Sequence, residues 1–309
     1  MLPLKSASFG PAAEAVAAGF RAAAELASVE INVIGHGDGE ALASIEAARA
    51  AGARVIVGPL LRDDLKALAA APARLPPTIA LNALEDDSVL PDAIYTLALS
   101  VEGEARQIAR TMQMDGVREV AIVSSDAPLQ RRFASSFTTE WILQGGGPPA
   151  TFQVVRSPDL LATLRQQLLR APFGGIVLAA DANDAAAVKP YLPRTAIYTS
   201  SQVNERNASA ATFELEDIRF VEMPWLVDAQ APQFAGIPHK EYAQINLERL
   251  YALGLDAFQV AVAFDPRPPQ QLEMEGATGH LSLGPQHRIV REGRLVRFEG
   301  GRVVPDSQH

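Results

Sequence analysis

The chain contains no cysteine, which removes disulfides, thiol nucleophiles, Fe–S clusters and cysteine-bound zinc together. This is compatible with an oxidising compartment without requiring one. Histidine is scarce: His36, His239, His280, His287 and His309 are the whole set. No two of them stand at helical metal-ligand spacing, and no His-Glu-x-x-His occurs, so neither a metal nor a metal cofactor is expected. Positive charge is short, with 27 Lys+Arg against 36 Asp+Glu and a net charge of -9. Phosphate backbones need a basic stripe, so a nucleic-acid partner is excluded. No run of about 18 apolar residues is available to span a bilayer. Met1 is followed by neither a basic region nor the apolar core of a signal peptide.

What is present reads as a soluble globular protein, 48% apolar and 20% charged, whose 309 residues suit roughly two domains. The organising stretch is Arg54-Val55-Ile56-Val57-Gly58-Pro59-Leu60-Leu61. Its β-branched centre predicts a short strand buried on both faces. Gly58 frees the backbone to turn, Pro59 fixes φ and withholds an amide, and the leucines open a helix. In an open parallel sheet ligands sit at the carboxyl ends of strands. This turn carries no hydroxyl, carboxylate or imidazole, so it shapes a site without doing chemistry.

Around it the chain alternates. Helices are predicted over about 11–26, 40–51 and 61–68, with strands at Ile31–Ile34, 54–57, Thr78–Leu81 and Ile94–Leu99. Met1-Leu2-Pro3-Leu4 reads as the end of a strand whose beginning lies upstream. After the acidic loop Glu85-Asp86-Asp87 the pattern restarts near Ser100, with strands at Glu119–Val123, Thr151–Val155, Gly175–Leu178 and Ala196–Thr199 and helices between them. Phe133, Phe137 and Trp141 fall on one helix face and read as core. Two such series predict two α/β units with parallel sheets and right-handed crossovers. Later come strand Ile218–Glu222, helices over Lys240–Leu253 and Asp256–Phe264, and a β-rich tail with strands at Gly276–Leu283 and Leu295–Phe298.

No motif amounts to catalytic machinery. Gly35-His36-Gly37-Asp38-Gly39-Glu40 sits where a dinucleotide fingerprint would, but Glu40 stands where the third glycine belongs. Ser124-Ser125-Asp126 ends a strand without a G-x-S-x-G elbow. Tyr198-Thr199-Ser200-Ser201 and Asn82 likewise place polar groups at strand ends, where emerging backbone favours them whatever the function. Asp63-Asp64 suits a helix N-terminus.

In order along nearly the whole chain, several pieces resemble one group of proteins. They are Leu2-Pro3-Leu4 with Phe9-Gly10, Gly19-Phe20, Val57-Gly58-Pro59-Leu60, Tyr198-Thr199-Ser200-Ser201, Met223-Pro224-Trp225-Leu226, Leu253-Gly254-Leu255-Asp256-Ala257, and Gly276-Ala277-Thr278-Gly279 with Leu281-Ser282-Leu283. The sequence is similar to type I periplasmic binding proteins and, more narrowly, to the LppC family of lipoprotein activators of penicillin-binding proteins. The resemblance implies an α/β, two-lobed type I periplasmic binding protein fold, each lobe a mostly parallel sheet flanked by helices. One lobe would comprise residues 1–99 with 224–288 and the other 100–223 with 289–309. It implies a non-enzymatic regulator at the periplasmic face of the outer membrane, held by an N-terminal lipid anchor outside this sequence. Family members can carry a helical-repeat domain ahead of this part. The implied partner is a class A penicillin-binding protein, whose peptidoglycan cross-linking it would stimulate.

The alternative reading is a solute-binding receptor for an amino acid or another small molecule. Amino-acid receptors hold the ligand's carboxylate with hydroxyls and amides, whereas Pro59-Leu60-Leu61 occupies the equivalent turn here, and burying that charge unpaired costs several kcal/mol. Leu60, Asn82, Ser124, Ser125 and Ser200 are the candidate residues for a cleft ligand, as shape plus a few hydrogen bonds. No catalytic residue, metal ligand or cofactor is expected.

Overall fold

The βα alternation resolves into two sheets, each in its own unit. The computed structural model describes residues 1–71, 75–84, 88–154, 156–205 and 211–306. The acidic Glu85, Asp86 and Asp87, the predicted strand end Val155, and His309 lie outside the described residues. The first unit comprises 1–99 and 223–292, the second 100–222 and 293–309. The chain therefore passes between them three times. The last passage falls after Glu292, not at Arg288, because Arg288–Glu292 pairs parallel with Ile94–Leu97 and antiparallel with His280–Leu283. Met223 belongs to the first unit, packed in one cluster with Trp225, Phe234 and Tyr251.

The first unit's sheet runs Ile56–Val57, Thr78–Ala80, Ile94–Leu97, Arg288–Glu292, His280–Leu283, Glu273–Glu275. Its first four strands are parallel and the last two antiparallel. Strands Ile56–Val57, Thr78–Ala80 and Ile94–Leu97 carry no charged residue, in keeping with helices covering both faces. Ile56, Ala80 and Ile94 share a cluster with Ala41, Ile45, Leu65 and Leu68 of helices Ala41–Ala50 and Arg62–Ala70. Ile79, Tyr95 and Leu97 share another with Val16, Leu253, Ala257 and Val260 of helices Gly10–Leu26 and Ile245–Ala263.

Those last two helices pack backbone against backbone. A Cβ on Gly19 would lie 2.0 Å from the Tyr251 carbonyl oxygen, and one on Gly254 would lie 2.1 Å from that of Val16. Sequence alone predicted a break between Leu253 and Asp256, yet one continuous helix runs through. Gly254 does not end the helix; its missing side chain admits the neighbouring helix. The predicted strand Ile31–Ile34 also differs, since these residues join no ladder.

The second unit's sheet runs Arg302–Pro305, Arg294–Glu299, Ile218–Glu222, Ala196–Thr199, Gly175–Ala179, Val120–Ser124, Ala150–Gln153. The five strands from Ile218–Glu222 onward are parallel, and the C-terminal hairpin adds antiparallel. Phe133, Phe137 and Trp141 are buried in its core with Ile108, Met112 and Val177, as their spacing predicted. Trp141 Nε1 donates to Gly147 O at 2.9 Å, so the Gly-rich stop closes over the indole.

Candidate functional site

In the first unit the turn after Ile56–Val57 is built by its backbone. Gly58 adopts φ +107°, and a Cβ there would lie 2.0 Å from the Met1 carbonyl oxygen, so the position requires glycine. Gly58 N–H donates to Ile79 O and Leu81 N–H donates to Pro59 O, both at 2.8 Å, stitching the turn to the next strand. Asn82 completes it: Nδ2 donates to Leu60 O, and Oδ1 accepts from Ala83 N–H, each at 2.9 Å. Arg62 Nε donates to Ala83 O at 3.1 Å. The structure thus brings Leu60 and Asn82 together, with the amide of Asn82 engaged at both ends. The Leu60 side chain is 7% exposed and belongs to the core with Leu81, Tyr95 and Phe264, so it fills the unit's interior.

The Gly35–Glu40 loop is closed by its own groups. His36 Nδ1 lies 2.8 Å from Gly37 O, and Gly37 N–H donates to Glu40 Oε2 at 2.8 Å. Asp63 and Asp64 occupy the first turn of the next helix, as the sequence predicted. Burial pushes the Asp64 carboxyl above its ordinary range, while nearby His36 pulls it back. His36 Nε2 and Asp64 Oδ2 are buried and unpartnered among the described residues. Among those residues no group of three His, Cys, Asp or Glu side chains is placed to hold a metal ion.

In the second unit, Ser124, Ser125 and Ser200 emerge at the carboxyl edge of one parallel sheet, with the Gly175–Ala179 strand between them. Ser124 Oγ donates to Ser125 O at 3.0 Å, and Ser125 N–H donates to Ala179 O at 2.9 Å. Ser200 is fully buried, and its hydroxyl has no partner among the described residues. None of the described histidines lies in this unit.

Two buried carboxylates, one in each unit, organise polar loops. Glu104, 8% exposed on helix Val101–Met114, accepts from Ser201 N–H and Ser201 Oγ, both at 2.9 Å. Its only sequence signal was its place in the first helical turn after Ser100, which caps Gly103 N–H at 3.0 Å. Nearby, Asn204 Nδ2 donates to Glu222 Oε2 at 2.8 Å. In the first unit, Asp256 is wholly buried and accepts from Ala277 N–H (2.5 Å), Thr278 N–H (2.8 Å) and the Thr278 hydroxyl. Burial pushes its carboxyl up to about 6, against the pull of those donors and of Arg291. It joins two of the sequence pieces, Leu253–Ala257 and Gly276–Gly279, and a Cβ on Gly276 would come within 2.6 Å of it. Neither residue stands in a sequence pattern that separates a buried carboxylate from a helix-surface one.

Each unit contains a cavity. One, of about 340 Å³, lies in the first unit around Met1, Ile31 and Arg54. The other, of about 430 Å³, lies in the second unit between Ala150–Gln153 and Pro158–Leu168. None of Leu60, Asn82, Ser124, Ser125 or Ser200 lines either, so no small-molecule site is supported by these cavities.

Comparison with known proteins matches the family model "LppC putative lipoprotein" over residues 1–170 and 160–301. A penicillin-binding protein activator LpoA of Haemophilus influenzae is 28% identical over 271 residues, covering 84% of this chain and 47% of its own length. The solved LpoA C-domain from Haemophilus influenzae, described as a regulator of PBP1A, superposes with a TM-score of 0.84 at 25% identity, covering 99% of this chain and 98% of that one. A putative branched-chain amino acid ABC transporter structure from Chromobacterium violaceum gives 0.85 at 32% identity, covering 95% and 97%. The fold is therefore the type I periplasmic binding protein fold. The chain spans about half the length of the curated relatives it matches.

Proposed function

Because the chain belongs to the LppC putative lipoprotein family, we propose that it is the binding-protein-like part of an activator of a class A penicillin-binding protein. In this reading it acts at the periplasmic face of the outer membrane, tethered by a lipid anchor. It binds the synthase and raises its cross-linking rate without turning over a substrate itself. The observation that carries this reading is the end-to-end likeness to a domain described as a regulator of PBP1A, 99% of this chain on 98% of that one. A regulator without enzymatic activity is in keeping with relatives named as activators. It also suits strand ends where serines meet carbonyls and carboxylates, not an imidazole. No helix among the described residues is long and apolar enough to cross a membrane.

The structure at 32% identity named for a branched-chain amino acid transporter favours a second reading, a solute receptor. The Pro59–Leu60 turn weighs against it. Leu60 is packed inward and has no polar side-chain atom, and the Asn82 amide is bonded within the turn through both Nδ2 and Oδ1. One experiment separates the two. The protein is titrated into a lipid II polymerisation and cross-linking assay with a class A synthase from the same organism, and in parallel into a thermal-shift screen with free amino acids. Activation proposes retention of the regulator; no binding to the synthase, with a melting shift of more than about 5 °C from leucine, isoleucine or valine, replaces it with the receptor.

A further inference from the structure

The Ala150–Gln153 strand forms one edge of the second unit's sheet, paired parallel with Val120–Ser124 and, among the described residues, with nothing on its other side. Val154 N–H continues that ladder to Ser124 O at 2.9 Å. Backbone groups alternate sides along a strand, so Phe152 faces the ladder with Val154, whereas Thr151 and Gln153 turn their N–H and C=O outward. Both of these residues are exposed. The other sheet edges are blunted. Glu273–Glu275 presents two carboxylates, both bonded to His280. Arg302–Pro305 begins with a charge and ends with a proline. The short Ile56–Val57 edge already gives Val57 O to the Met1 amine. Charge, proline and brevity are the means by which an edge avoids pairing, and Ala-Thr-Phe-Gln carries neither charge nor proline.

Beside this open edge lies the cavity of about 430 Å³. Its opposite wall is one face of helix Pro158–Leu168, where Leu160, Thr163, Leu164 and Gln167 recur at helical spacing. Leu160 is 53% exposed on that wall. A groove between an edge strand and a helix suits an extended peptide: backbone rungs supply affinity, and contacts to alternate side chains supply selection. No residue lining it is charged, and Arg156, the next charged residue along the chain, is held by Asp184 Oδ1 at 2.8 Å. A charged side chain seated here would lose water without gaining a counter-ion, so the groove selects an uncharged segment. A second copy of this chain fits less well. Each copy brings a net charge of -9, and a strand of 4 residues spans only ~14 Å, a short seam for the roughly 1,200 Å² that a stable dimer buries.

We propose that this groove docks an extended, uncharged segment of the class A synthase, which adds to the sheet alongside Ala150–Gln153. The segment bonds the outward backbone groups of Thr151 and Gln153 and lays apolar side chains, two residues apart, against Phe152, Leu160 and Leu164. This rests on the activator reading above.

The test measures binding of the whole chain to the class A synthase from the same organism, with amide exchange followed in the free and bound states. Thr151→Pro removes one outward N–H and leaves the ladder to Val120–Ser124 intact, and is expected to weaken binding at least about tenfold. Thr151→Val keeps the N–H and should bind within about twofold of wild type. Leu160→Asp, at an exposed site that leaves the fold intact, should also weaken binding at least about tenfold. In the complex the Thr151 and Gln153 amides should exchange at least about tenfold more slowly. Wild-type binding with those amides unprotected, or Thr151→Pro and Leu160→Asp both binding as wild type does, would overturn the docking site and leave the activator reading standing. A wild-type chain that binds no synthase removes both. Sedimentation showing a dimer of this chain that Thr151→Pro dissolves would assign the edge to a second copy and overturn the proposal.

Discussion

Replacing Asp256 tests how the long C-terminal helix is fastened to the loop that carries Gly276–Gly279. Its two carboxylate oxygens take three donors, Ala277 N–H, Thr278 N–H and the Thr278 hydroxyl. Asp256→Ala orphans all three, at about 1–3 kcal/mol each. Against that loss stands the relief of an expensive group. A carboxyl raised from 3.8 to about 6 is about 2 pKa units, or about 3 kcal/mol of penalty on the ionised form. The net expectation at pH 7 is a loss of about 2–5 kcal/mol for the alanine variant.

The pH dependence follows from the same shift. The folded state holds this proton between about pH 4 and pH 6, where the unfolded chain has released it, so the contribution of Asp256 is greatest below pH 4 and declines as pH rises through 6. Asp256→Asn cannot titrate. The wild-type advantage over it should therefore shrink by up to about 3 kcal/mol between pH 4 and pH 7. Urea unfolding followed by fluorescence reads this cleanly in a Trp141→Phe background, because the chain has 2 tryptophans and Trp225 then reports on the first unit alone. A wild-type-minus-asparagine difference that stays flat across that range refutes the linkage, and an alanine variant within about 0.5 kcal/mol of wild type refutes the anchoring role.

Other consequences are equally direct. Gly19→Ala and Gly254→Ala would each raise intrinsic helix propensity by about 1 kcal/mol, yet each should destabilise the first unit by about 1–3 kcal/mol, since the added Cβ meets backbone and not a movable side chain; chemical unfolding decides the sign. Gly276→Ala should act like a milder Asp256→Ala, displacing the carboxylate its Cβ would strike, visible as faster amide exchange at Ala277 and Thr278. Glu104→Ala should cost about 2–4 kcal/mol and speed exchange of the Ser201 amide at least about tenfold, whereas Glu104→Gln, which keeps one acceptor, should recover part of both. His280, bonded to Glu275 and Glu273 at 2.8 and 2.6 Å, should titrate above its ordinary 6.5 in an NMR pH series; its stabilisation holds below 6.5 and fades as pH rises through the raised value, and Glu273→Gln with Glu275→Gln should bring the titration down.

Much of the fold was legible because helices and covered strands are periodic in sequence. The Phe133, Phe137 and Trp141 row, the Ala196–Thr199 strand and the acidic first turn at Asp63 and Asp64 follow from local pattern alone. The Arg288–Glu292 strand was not legible: Arg-Ile-Val-Arg-Glu is short and charged at both ends, and becomes a strand because two neighbours offer it ladders. Of the proposed ligand residues, chemistry type was readable and availability was not. Asn82 and Leu60 were rightly placed at a strand end, but hydrogen bonding and packing inside the first unit engage them both.

Sequence by itself determined the class of protein: a βα rhythm marked an α/β fold, and ordered motifs pointed to its family. Tertiary structure alone decided what Gly254 and Asp256 are for, and whether Ile31–Ile34 is a strand. A glycine admits a neighbour, a carboxylate is buried, and an extended segment becomes a strand only through groups distant in the chain. Local pattern records what a residue can do, and only the partner brought beside it selects which of those it does.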